Sequence, residues 1–369
     1  MAPKEKKDDK DKAAAERTFV VSASPHAHSG RTTTQIMWEV VIALVPATLV
    51  GLWDFGWRGA VVVALTILSA VAFEAIWQAA SRVRQTVGNG AAVLTGLLLA
   101  LNLPPSSPWW MCVVGAGVAV LLGKMVFGGL GQNPFNPALT GRVFLLIAFP
   151  AEMTTWIVPR TAGALPESFL GQSTVARDAA GRVIEDGGAQ VDMVTGATPL
   201  GILAEEGYQA LGDVGFWDAF LGHMINGSIG EVSALALLVG GGFLLFRRII
   251  TWHIPVSFLV TMAVMAQITH LVDPQVYAPA HVHLVTGGAM IGAFFMATDY
   301  VTSPMHPTGQ IIFGVGCGAL AMIIRLWGGY PEGVSFAILL MNALTPLIDR
   351  YIRRPKFGQV PAAAGPGSK

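Results

Sequence analysis

The chain has 369 residues, 53% of them hydrophobic and only 12% charged, with 23 basic residues balanced by 23 acidic ones. Soluble domains carry about 25% charged residues, so the composition excludes an ordinary soluble domain and indicates a polytopic membrane protein. Zero net charge argues against nucleic acid as a partner.

Residues 1–30 open as a mixed Lys/Asp/Glu/Ala run and read as a cytoplasmic tail. They are not a signal peptide, because no apolar stretch follows the charges directly. Ten apolar segments follow, at about 36–53, 59–79, 89–103, 109–127, 136–149, 231–246, 254–271, 283–297, 309–327 and 333–347. Several are shorter than the roughly 20 residues an upright span requires. Segments 3, 5 and 8 are interrupted or bounded by Gly and Pro and predict broken or half-spanning helices inside the protein. The C-terminal tail, 353–369, is rich in Pro, Gly and Ala.

The basic residues set the orientation. With both termini in the cytoplasm, all but five of the 23 Lys and Arg lie inside, among them Lys124 and Arg142. The five outside are Arg58, Arg160, Arg177, Arg182 and Arg325. This places the 150–230 loop on the extracytoplasmic side. Matched blocks recur between the halves. Thr95-Gly96 in segment 3 pairs with Thr286-Gly287 in segment 8, and Phe127-Gly128-Gly129 pairs with Trp327-Gly328-Gly329. The offset is five segments, an odd number, so the halves 31–149 and 231–352 form a 5+5 inverted repeat with its site near the midplane.

One stretch of the long loop carries a chemical motif: Asp192, then Thr195-Gly196-Ala197-Thr198 before Pro199. The plain reading is a Thr-rich turn. The functional reading is covalent attachment of a group to a threonine oxygen, with Gly196 and Ala197 admitting a bulky partner to the backbone.

Four acids sit at segment ends. For Glu39 and Glu74 two readings stand side by side. One is a cytoplasmic mouth for Na⁺ or H⁺; the other is helix-end acids paired with Arg82, Arg84 or Arg350. Asp349 reads as such a helix-end acid, and Asp299 as a loop-holding acid bonded to nearby backbone amides. Cys112 and Cys317 lack CxxC spacing and read as inert apolar thiols. His270, His281 and His283 match no metal-ligand spacing and read as solvated loop histidines. The ten tryptophans fall mostly near segment ends, as in an interfacial belt.

Longer motifs run from about residue 22 to 358. They include Ser24-Pro25-His26, the run 42–47 (Ile-Ala-Leu-Val-Pro-Ala) and the run 123–137 with Gln132-Asn133-Pro134-Phe135-Asn136-Pro137. They continue with Met296-Ala297-Thr298-Asp299, then Thr302-Ser303-Pro304, and with Gly329-Tyr330-Pro331-Glu332-Gly333. On these the chain resembles the NqrB/RnfD family, closer to the Rnf branch because it lacks the longer N-terminal region expected of the quinone-reductase branch. Tyr300 stands where the family often has Pro.

The resemblance implies FMN joined by a phosphodiester to Thr198, delivered from FAD by a flavin transferase that reads the stretch 192–200. A phosphate tether leaves the flavin ring free to be positioned by the protein. The resemblance also implies a second, non-covalent flavin (riboflavin) near the broken segments, and partner subunits carrying a second covalent flavin and iron–sulfur centres. The expected protein is therefore an all-α, flavin-carrying subunit of the bacterial inner membrane. Its complex couples ferredoxin:NAD⁺ oxidoreduction to Na⁺ or H⁺ translocation. NAD is expected on a partner, since no strand-linked Gly-rich fingerprint is present. The alternatives are a subunit of a Na⁺-pumping NADH:quinone reductase and a solute channel or transporter with inverted repeats.

Overall fold

The computed structural model describes residues 30–157, 198–211, 216–222, 226–330 and 332–352. The chain divides into Met1–Thr33 and Thr34–Lys369, and the architecture below is that of the second unit. Among the described residues the secondary structure is helical, without a β-strand.

Segments 1 and 2 form two helical arms, together α1 (Thr33–Ala80), separated by a kink at Gly56, whose φ of 60° and ψ of −141° are non-helical. That conformation is essentially restricted to glycine. The bend divides 48 residues into two arms, each about 35 Å long and so able to cross a bilayer. Segment 3 is α2 (Ala91–Leu101), with nine of its 11 residues buried. At roughly 16 Å it is about half a membrane deep. It packs tightly on α1, because the bare Cα of Gly96 lies against the Ile67 backbone.

Segment 4 is α3 (Trp109–Gly117), which runs into a π-turn at Val118–Leu122. Segment 5 is α4 (Pro137–Ala148). Asn136 caps it, its Oδ1 accepting from the Ala138 and Leu139 amides at 3.0 and 3.3 Å, and Pro137 takes the first helical position. Gly141 faces Gly115, which lets α4 and α3 approach closely. Two short helices follow in the loop region, α5 (Pro199–Glu206) and α6 (Phe216–Leu221).

The second half comprises α7 (Ala234–Phe246), α8 (His253–Val272), the broken segment 8, α11 (Pro307–Trp327) and α12 (Val334–Tyr351). Segment 8 consists of α9 (Ala280–Val285), a break at Gly287 (φ 67°), and α10 (Ala289–Ile291) leading into a π-turn at Gly292–Met296. Each of the ten predicted segments thus falls on helix. Segments 3 and 5 are short but unbroken, while segment 8 is interrupted. Among the described residues, four helices are long and apolar enough to cross a membrane, namely α1, Trp109–Phe127, α8 and α11.

Residues 227–233 form no helix, yet every one is buried. Their backbone is satisfied by the end of α2. The Ile229 and Gly230 amides donate to Leu103 and Leu101 carbonyls at 3.3 and 2.7 Å. Non-helical backbone at membrane depth is tolerated only where protein or water serves its polar groups. Gly51 makes the approach possible, since any Cβ there would overlap the Ile229 carbonyl.

The matched Gly blocks do not share a conformation. Thr95-Gly96 lies inside a helix, whereas Gly287 breaks one; Gly128 and Gly129 have positive φ, whereas Gly328 has φ −86°. The outer surface carries large apolar side chains, including Trp53, Trp57, Phe246, Leu271 and Val272, as a lipid-facing surface requires.

Candidate functional site

Thr198 lies in the long loop and is the first described residue after position 157. Its backbone is extended (φ −76°, ψ 154°) and it caps α5, its Oγ1 accepting from the Gly201 amide at 3.0 Å. Pro199 follows at the first helical position. The side chain is half-buried. A helix N-terminus favours an anionic group beside its free amides, so a phosphoryl oxygen on Thr198 suits its surroundings. Asp192, Thr195, Gly196 and Ala197 lie outside the described residues.

α5 is fastened to the membrane domain. Leu200 is buried over Gly287, at the break of segment 8, and the Tyr208 amide beyond the helix donates to the Val276 carbonyl at 3.1 Å. Beneath it lies a cluster that sequence reasoning missed. Arg142, in the middle of α4, is 4% exposed. It donates to Asn102 Oδ1 at 2.5 Å and bonds Glu332, and its Nη2 lies 3.6 Å from Glu231 Oε1. Arg325, near the end of α11, donates to the His283 and Thr286 carbonyls at 2.7 and 3.2 Å.

This corrects two expectations. The basic-residue rule assigned Arg142 to the side of Lys124, but its partners Glu231 and Glu332 belong by that rule to the opposite face. A charge inside an apolar helix reports its partners, not the nearer membrane surface. His283 was expected in solvent; it is 1% exposed, with neither ring nitrogen hydrogen-bonded among the described residues. His270 bonds the Tyr277 carbonyl at 2.7 Å, and His281 lies edge-on to Phe216. The available signal was Arg142 and Arg325 themselves, since charges within apolar runs are expensive and ordinarily paired.

Of the acids at the other segment ends, Glu39 and Glu74 find partners other than Arg82, Arg84 or Arg350, while Asp299 bonds its own loop as expected. Glu39 pairs with Arg247 at 2.5 Å at the surface. Glu74 is fully buried and bonds Lys124 Nζ at 2.6 Å and Gln78 at 3.2 Å. Asp299 holds its own loop, accepting from the Val301 amide at 3.5 Å and the Thr302 hydroxyl at 3.2 Å. Asp349 accepts from the Met305 amide at 3.3 Å. Tyr300, the departure from the family pattern, donates its hydroxyl to the Ile249 carbonyl. Cys112 and Cys317 are buried thiols.

Between α2, α4, α7 and the π-turn of segment 8 lies an open-sided cavity. Its walls are mostly apolar, with Phe294 and Phe295, and its polar groups are Thr95, Lys124, Asn133, Asn136, Thr298 and Asp299. An apolar cleft with a few fixed polar groups is the usual form of a small-molecule site.

Lipid-facing apolar helices around buried, interrupted ones, with ionic side chains gathered at the interruptions, define a multi-pass membrane protein with an internal polar centre. Residues 20–358 match the model of the NQR2, RnfD, RnfE family, and the chain belongs to that family. It is 46% identical to the D component of an ion-translocating oxidoreductase complex from Stutzerimonas stutzeri, over 88% of this chain and 92% of that protein. It is 43% identical to the D component of a Na⁺-translocating ferredoxin:NAD⁺ oxidoreductase complex from Acetobacterium woodii, over 93% of this chain and 96% of that one. It is 40% identical to the corresponding component of a proton-translocating ferredoxin:NAD⁺ oxidoreductase complex from Clostridium ljungdahlii, over 92% and 96%.

Proposed function

We propose that this chain is the flavin-carrying membrane subunit of an Rnf-type complex that couples ferredoxin:NAD⁺ oxidoreduction to Na⁺ or H⁺ translocation. The observation that carries the flavin part is Thr198 at the head of α5. Its hydroxyl stands at a helix N-terminus, half-buried, with the helix anchored on the polar centre. There Thr198 would hold FMN through a phosphodiester, and the flavin would supply electron relay. This chain's residues would tether and orient it.

The remaining parts of the reading follow the same logic. The cavity at Asn133 and Asn136 suits a second flavin, with Phe294 and Phe295 offering apolar surface and the asparagine and threonine groups offering hydrogen bonds. Both termini face the cytoplasm of a bacterial inner membrane and α5 faces outward, as the basic residues outside the polar centre favour. The two five-segment halves form an inverted repeat. Partner subunits bring a second covalent flavin and iron–sulfur centres, and a flavin transferase loads Thr198 from FAD.

The test is direct. The full chain, co-expressed with a flavin transferase, is run on a denaturing gel, and the tryptic peptide spanning 192–200 is weighed. The expected result is a fluorescent band and an added FMN on Thr198, both abolished in Thr198→Val. A dark band, or fluorescence that survives this substitution, overturns the assignment.

A further inference from the structure

A second cavity lies directly beneath α5. It is bounded by Leu200, Leu203, Tyr277, Ala278, His283 and Arg325. Its polar groups are incompletely served by the protein. Both His283 ring nitrogens and Arg325 Nε are buried without a hydrogen-bond partner among the described residues. Buried polar groups left bare are costly, and a polar, roomy cavity is where water supplies the missing bonds.

The unserved groups continue inward. At Gly287 the bare Cα lies beside Arg325 Nη2 and Glu332 Oε1; at Gly288 the next bare Cα borders Glu231 Oε1, to which an added Cβ would come within 3.2 Å. Gly227 leaves the other carboxylate oxygen similarly open, at 3.5 Å. Glu231 Oε1 has no hydrogen bond among the described residues, and neither has the Ser228 hydroxyl in the same buried turn. Both residues are under 5% exposed. The nearby cations are otherwise engaged: Arg142 with Asn102 and Glu332, Arg325 with two backbone carbonyls. Arg142 reaches Glu231 only at 3.6 Å. Among the described residues, Glu231 Oε1 thus has the Arg142 guanidinium at 3.6 Å and no hydrogen bond.

We propose that the cavity under α5 is a hydrated vestibule for a monovalent cation and that Glu231, with Ser228, is where that cation is held. Oxygen ligands from a carboxylate, a hydroxyl and water suit a hard cation or a proton. The step from vestibule to carboxylate passes the segment break, where Leu200 and Arg325 pack over Gly287 and Glu231 Oε1 borders Gly288. The proposal rests on the ion-translocating reading for what passes, and not on flavin attachment.

Two measurements test it. First, Leu203→Cys and Ala278→Cys are placed in the full chain, whose own cysteines are buried, and treated in membranes with a charged, water-borne thiol reagent. Both are expected to react, while Ala293→Cys, buried away from the cavity, does not. If neither cavity cysteine reacts while Val276→Cys at the exposed rim does, the vestibule is dry and the proposal fails. Second, ions moved per electron transferred are measured in the assembled complex carrying Glu231→Gln, Glu231→Asp or the cavity-narrowing Ala204→Phe. The ratio should fall about tenfold in Glu231→Gln, which is about 1.4 kcal/mol, recover in part in Glu231→Asp, and fall in Ala204→Phe. A shifted Na⁺ requirement in Glu231→Asp identifies sodium as the bound ion; an unshifted one identifies the proton. If Glu231→Gln lowers both rates together and leaves the ratio unchanged, Glu231 is structural and the proposal is overturned. A wild-type complex that moves no ion at all would instead defeat the ion-translocating reading itself.

Discussion

Thr198 shows how one side chain can serve both packing and chemistry. Thr198 caps α5 through its hydroxyl, and loss of such a cap costs about 1 kcal/mol. Thr198→Val should therefore loosen α5 slightly as well as abolish attachment. Thr198→Ser should retain the cap, and limited proteolysis across 198–206 distinguishes a failed attachment from a frayed helix. Glu74 and Lys124 are a different case, both about 1% exposed and bonded at 2.6 Å. Removing one partner of such a pair strands a buried charge and costs about 3–5 kcal/mol. Glu74→Gln should lower the thermal midpoint of the purified chain sharply, and adding Lys124→Met should restore most of the loss. A single variant as stable as the parent would mean that Lys124 finds another partner or water.

Among the elements, the broken segment 8 matters most. Its break at Gly287 has positive φ, and a Cβ there would strike Leu200 of α5. Gly287→Ala should cost about 1–2 kcal/mol from backbone alone and should displace α5, seen as faster proteolytic cleavage after Leu203. The bend of α1 follows the same rule. Gly56→Ala opposes a conformation that side-chain-bearing residues rarely adopt, at about 1–3 kcal/mol. Thermal unfolding in detergent reads that loss. Both glycines stand in plain view among the chain's 43. Nothing local singles them out, because φ is set by where the following helix must pack.

Across the whole molecule, the buried turn 227–233 joins the two halves. It takes its backbone hydrogen bonds from α2 and brings Glu231 to Arg142 of α4. Arg142→Met should leave Glu231 and Glu332 facing one another without their guanidinium and destabilise the fold by about 3–5 kcal/mol. Arg142→Met with Glu332→Gln should recover part of that, as measured by thermal midpoint. Equal midpoints for the single and double variants would show that Glu332 is not the acid that Arg142 balances.

The apolar runs by themselves determined the helical class, the ten segments and the membrane setting. Burial of apolar length is a local property, and 3.6-residue helices are the economical way to satisfy backbone inside lipid. The caps at Asn136 and Thr198 obey a local rule, a polar side chain before Pro, that the reading of apolar segments did not use. Pairing was decided only by the tertiary structure. Glu74 met Lys124 across 50 residues and Arg142 met Glu332 across 190, and no spacing in the chain encodes such contacts. His283 looked like a loop histidine until α5 and α11 were packed over it. The polar centre exists because charged side chains from distant segments, buried among apolar helices, were drawn to one another.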